Sequence, residues 1–226
     1  MRHPFLAVIA AIAIGTGTIH AQTVMLPQSS PSPVEPKNNL EMQQIFLSDQ
    51  VDRGNNPYAK PGDPQPQALD GKLVRANDDA REIRVHSLLD SGQIITATDF
   101  FRAALIFQHA GTSDGYLLAH ILAEVAVAKG DSNALWLSAA TLDRYLINIH
   151  QKQVFGTQFT SLPAPDTKSP SIWSQQDLDK ITISDALRAE FCVVPLSAQQ
   201  KGLPGPPVGT GLSSCPAKDK MKAQQK

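Results

Sequence analysis

Three observations predict a mainly α fold, with antiparallel helical hairpins packed as one small domain. Apolar residues recur at helical spacing in several runs, and polar turns of three residues separate the later runs. No segment alternates apolar and polar residues for long enough to form a strand. Helices joined by such short turns have to lie antiparallel to one another.

Residues 1–21 have the three parts of a secretory signal peptide. Met1-Arg2-His3 is a short basic start, Pro4 to Ile19 is almost unbroken apolar sequence, and Ile19-His20-Ala21 offers a cleavage site before Gln22. The apolar run is shorter than the ~20 residues that span a bilayer, and polar sequence follows at once. No cysteine lies near the cleavage point, which argues against a lipid anchor. The expectation is export, periplasmic or extracellular, with no stable membrane insertion after cleavage.

Residues 22–37 carry Pro27, Pro31, Pro33 and Pro36 among Ser and Gln and are expected to be a linker. A helical domain is expected over residues 38–160. Its first helix spans 38–53, with Leu40, Ile45, Phe46 and Leu47 as a partial apolar stripe, and a loop rich in Pro follows Gly54. Residues 76–91 form the next, with Ala80, Ile83, Leu88 and Leu89 on one face and Gly92 as the stop. Residues 96–99 offer an N-cap for a helix over 100–110. Turns at 111–113 and 130–132 then separate helices over 114–129 and 133–150. No period of ~34 residues recurs, so a solenoid is not predicted.

Residues 161–226 are expected to be irregular apart from a short helix over 184–191, ending in a basic tail. Cys192 and Cys215 are the two cysteines. An even pair in an exported chain favours a disulfide, two free thiols being the alternative. The formal net charge of −1 and the 18% of charged residues give no electrostatic footprint for nucleic acid.

The helix over 114–129 is apolar on every side except at His120 and Glu124, which share a face at i, i+4. A buried carboxylate needs a partner, and Arg144 on the next helix is the nearest in sequence, so His120, Glu124 and Arg144 are expected in one network. Such groups admit three chemistries. They can ligate a metal with His109 or an Asp, serve as an acid–base set, or simply satisfy one another. The two-ligand spacing is common by chance, and no metal or cofactor is assigned. Gly-Thr-Gly at residues 209–211 lacks the strand and helix of a phosphate loop.

Four short blocks occur in order. They are Asp49-Gln50-Val51-Asp52-Arg53, then Gln108-His109-Ala110 with Asp114, then Leu142-Asp143-Arg144, and last Gln153-Val154-Phe155-Gly156-Thr157-Gln158. Over about residues 40–159 this resembles an uncharacterised bacterial domain-of-unknown-function family. That family is helical, with recurrent Asp-Gln-x-x-Arg, Gln-His-Ala and Gln-x-Tyr-Gly-Thr-Gln blocks, and Phe155 stands where it often has Tyr. The resemblance implies that Gln108, His109, Asp143, Arg144, Gln153, Thr157 and Gln158 form one site. It implies no particular reaction.

Two function classes follow. The first is an exported binding or interaction module for a protein or cell-envelope component, with Gln108, Arg144, Gln153, Thr157 and Gln158 as binding residues. The alternative is a small envelope hydrolase with His109, Glu124 and Asp143 as its acid–base set. An enzyme should present His109 and a carboxylate in a shared cleft.

Overall fold

The computed structural model describes residues 36–162, 172–199 and 215. The expected signal peptide, most of the linker, residues 200–214 and the basic tail lie outside the described residues. Five helices come first: α1 (Leu40–Asp52), α2 (Gly71–Asp90), α3 (Ala97–Phe107), α4 (Ser113–Ala128) and α5 (Ala134–Asn148). Two strands, β1 (Phe159–Leu162) and β2 (Ile172–Gln175), and two short helices, α6 (Asp185–Glu190) and α7 (Leu196–Gln199), complete the order. The fold is mainly α, as the helical spacing predicts.

Capping explains where the helices start. Asn39 and Thr96 each accept an N–H from the first turn of α1 and α3, and Asn39 N–H itself donates to both Asp99 oxygens at 3.0 and 3.1 Å. The two helix starts are thereby fixed side by side. The helix ends also meet, through Asp49 and His109, so α1 and α3 run parallel. Helix α2 runs antiparallel to α1, because Arg84 bonds Glu41 at one end while Asn77 bonds Asp52 at the other. Helix α2 also begins five residues earlier than expected. Asp70 accepts Lys72 N–H at 2.9 Å and caps a turn that carries no apolar stripe of its own.

The core joins Met42 and Phe46 of α1, Val85 and Leu88 of α2, Ile106 and Phe107 of α3, Leu122 of α4 and Leu137 of α5. Alanines fill the contacts between α3, α4 and α5, where Ala103, Ala104, Ala119, Ala123 and Ala139 have no exposed surface. Small side chains allow the helix axes to approach closely, which leaves little room for anything larger. Helix α4 is therefore not buried all round. Only Ala119, Leu122, Ala123 and Ala126 are buried, while Leu117, Ile121 and Glu124 face outward.

Helix α2 differs from expectation in the same way. Its buried row is Asp78, Arg81, Val85 and Leu88, and Ile83 is exposed. A row that begins with an acid and a base escapes any reading by hydrophobicity.

The described C-terminal residues hold more regular structure than predicted. Strands β1 and β2 pair antiparallel, with Phe159 opposite Gln175, and Gln153 forms a parallel bridge to Leu178. Both strands are four residues long, too short for a recognisable alternation. Helix α6 starts at its Ser184 cap and places Arg188 in the interior, 1% exposed. Cys192 and Cys215 form a disulfide that packs against Leu135, with Val127 and Trp136 beside it. Among the described residues no helix is long and apolar enough to cross a membrane. Reducing the disulfide frees a loop with a sequence separation of 23. Reduction is expected to lower unfolding free energy by about 3 kcal/mol, measured by urea denaturation with and without dithiothreitol.

Candidate functional site

The residues singled out from the sequence fall into three separate places. His109 stands just beyond α3 and is 18% exposed. Its Nδ1 lies 3.0 Å from Oδ1 of Asp49, a fully buried carboxylate of α1. Asp49 also accepts from Arg53 at 2.6 Å and from Gln50 at 2.8 Å. The network continues through Asp78, which accepts from Arg53 at 2.7 Å and Arg81 at 3.0 Å, and Arg81 also bonds Asp52. So the first two blocks of the family resemblance do meet, but the third and fourth blocks do not join them.

One ligand atom each from Asp49, Asp78 and His109 lies within 4.8 Å of the others. A cation there would have to displace guanidinium groups that already hold both Asp78 oxygens and one oxygen of Asp49. The donor set is that of a satisfied ion-pair network rather than a waiting metal site. Burial pushes the Asp49 carboxyl up, but the His109 hydrogen bond and charge, with Arg53 and Gln50, outweigh it and hold the group below its ordinary 3.8.

Glu124 and His120 form the second place. Glu124 is exposed and bonds the hydroxyl of Ser138, while His120 Nδ1 lies 3.1 Å from the Ser138 carbonyl. Arg144 is not their partner, so the expected His120–Glu124–Arg144 network does not form. The reason is geometric. Ser138 lies on α5 opposite α4, six residues before Arg144, and a solvated carboxylate needs no counter-charge.

Asp143 and Arg144 define the third place, and neighbours in sequence serve opposite ends there. About 100° of helical rotation separates them. Asp143 points inward with no exposed surface. It accepts N–H groups from Val154 at 2.8 Å, Phe155 at 3.0 Å and Thr157 at 2.9 Å, and the Thr157 hydroxyl at 2.7 Å. Burial pushes its carboxyl up, and the four donors pull it part of the way back. The turn's carbonyls point the other way, where Arg188 donates to Val154 O and Phe155 O and Gln199 also donates to Phe155 O.

Gly156, at φ 84°, completes the turn, and a Cβ there would press into the Gln199 amide and come within 2.8 Å of the Gln175 amide nitrogen. Gln153 is fully buried and spans the same turn, donating to Gln158 O and Gln176 O and accepting from Gln158 N–H. Gln153 and Thr157 are thus supports. Gln108 sits next to His109, apart from this group.

Arg144 points to a pocket of about 140 Å³ lined by Tyr116, Arg144, Ile147, Asn148, Gln158 and Gln176. Its Nε is buried without a hydrogen-bond partner. Every other arginine of the described residues has a carboxylate oxygen within 4.0 Å, and Arg144 has none. A second compartment of about 390 Å³ adjoins it, sharing Ile147 and Gln176 and adding His150, Gln151, Lys152 and Asp177. Of the expected binding residues, Arg144 and Gln158 come together here. Asn148 and Gln176 carried no sequence signal, because a lone amide at a helix end or just past a strand has no pattern.

Compared with known proteins, the chain matches no family model, no curated protein and no solved structure.

Two outcomes test these assignments. Asp49 contributes stability that is fully present above its unfolded value near 3.8 and is lost as pH falls through its lower folded value. The stability difference between wild type and Asp49→Asn, measured by urea unfolding, is therefore expected to shrink as pH drops below 3.8. Second, Asp143→Ala leaves three N–H groups and a hydroxyl without their acceptor, at an expected cost of about 4 kcal/mol or more. Arg144→Gln, with no partner to orphan, should change stability by less than about 1 kcal/mol. Equal costs in the two variants would show that Arg144 is structural.

Proposed function

We propose that this chain is an exported helical binding domain and that the Arg144 pocket receives an anionic group of its ligand. One observation carries the reading. A guanidinium with a buried, unbonded Nε lines a polar pocket, in a protein whose other described arginines all have carboxylate partners. Withdrawing part of a charged group from water without a partner is costly, and an incoming anion supplies the missing partner. The disulfide is compatible with the oxidising compartment that export implies.

The hydrolase reading draws on one pair, His109 against Asp49, since histidine oriented by a carboxylate is an arrangement used in acid–base catalysis. Glu124 and Asp143 bond to other partners, and neither adds a carboxylate to that pair. The unpaired Arg144 favours binding over catalysis.

The test is thermal unfolding in sodium acetate against sodium chloride at equal ionic strength. A ligand at ten times its Kd raises stability by about 1.4 kcal/mol, so acetate is expected to raise the Tm of the wild type and of His109→Gln. Arg144→Gln should show no such rise. An acetate effect that survives the loss of Arg144 would end the proposal.

A further inference from the structure

We infer that the anion held by Arg144 is the terminal carboxylate of an extended peptide, whose chain continues past Ile147 and Gln176 into the adjoining compartment. The inference rests on the binding reading above and narrows it. Charge selects a carboxylate over a phosphate. A single guanidinium balances one negative charge, whereas a phosphate monoester carries about −1.5 to −2 at neutral pH. Arg144, Ile147 and Asn148 belong to the last turns of α5 (Ala134–Asn148), where the helix dipole is negative and disfavours further anionic charge. In the second compartment Asp177 and Lys152 offset one another, so Arg144 remains the net charge of the lining. The planar fork of arginine also matches a carboxylate through two parallel hydrogen bonds.

The remaining lining selects a peptide. Asn148 and Gln176 offer side-chain amides that make no hydrogen bond among the described residues. Gln158 uses its Nε2 on Ala140 O at 3.3 Å and on the Thr157 hydroxyl at 2.9 Å, which leaves its Oε1 as an acceptor. Each primary amide has two donors and an acceptor, so this set pairs with the alternating N–H and C=O of an extended backbone. Ile147, shared by both compartments, supplies the apolar wall a side chain needs. Lys152, His150 and Gln151 then line the polar exit. The arrangement captures a free chain end by a charge and follows it by amides.

The experiment is isothermal titration of the full mature chain with acetyl-trialanine, the same peptide as its C-terminal amide, acetate, and inorganic phosphate. The variants are Arg144→Gln and Gln176→Ala, with circular dichroism confirming that both fold. The acid peptide is expected to bind more tightly than acetate and phosphate. Amidation and Arg144→Gln should each weaken it by about tenfold or more, and together no further, since both remove one charge pair. Gln176→Ala should weaken the acid peptide and leave acetate unchanged. If acetate and the acid peptide bind equally and Gln176→Ala alters neither, the peptide inference falls while the anion pocket stands. If phosphate binds as tightly as the acid peptide, the carboxylate assignment is overturned. Absence of binding by every anion would remove the pocket reading as well.

Discussion

Asp143 holds a carboxylate inside the protein, and the C-terminal half is arranged around the four donors that satisfy it. Three of those donors are main-chain N–H groups of a single turn, residues 154–157. Turning them inward obliges the carbonyls of Val154 and Phe155 to face the opposite side, where a buried acceptor without a donor would be costly. Arg188 and Gln199 provide the donors. Thus a single acidic residue on α5 accounts for a buried arginine on α6 and a buried glutamine on α7. Those short helices have too few residues for stability of their own. They are held by what they donate, and by the disulfide that packs on Leu135.

The same turn positions the pocket. Gln158 follows directly on Thr157, and Gln176 is aligned by the Gln153 amide that bonds its carbonyl. Arg144 is carried one helical step from Asp143. The wall is made from the end of α5, the turn pinned by Asp143 and the end of β2. A turn held by that many hydrogen bonds lowers the ordering cost that a docking ligand meets.

How much of this was legible in the sequence depends on what signal each residue leaves. Helix positions were readable within a few residues, because caps at Asn39 and Thr96 and turns at Gly111 and Gly130 leave local marks. The start of α2 was not, since the exposed turn after Asp70 has no apolar face. Burial was misjudged on α4 for an instructive reason. A helix of alanines and leucines has high mean hydropathy on all sides, yet only one face, Ala119, Leu122, Ala123 and Ala126, is buried. The Asp49, Asp78 and Arg81 cluster leaves no hydropathy signal for the converse reason, that charged residues can be interior when they satisfy one another. Spacing was the available clue, with Asp49 and Arg53 at i, i+4 and Asp78 and Arg81 at i, i+3. The partners Arg188 and Gln199 lay beyond reach, because nothing local relates them to a turn more than 30 residues earlier.

Two groups of charges in one domain differ in how completely they are paired. Around Asp49 each carboxylate has its cation, and nearly every bond is made within the protein, so the cluster gains nothing from an outside ligand. Around Arg144 the opposite holds. The guanidinium is partly withdrawn from water, its Nε is unbonded, and no carboxylate of the described residues approaches it. Arg102 Nη1 is likewise buried without a hydrogen bond, but it lies 3.9 Å from Asp99, so among the described arginines Arg144 alone has no carboxylate near it. On the proposed binding reading, the free energy forgone by leaving it unpaired is available to the anion that enters.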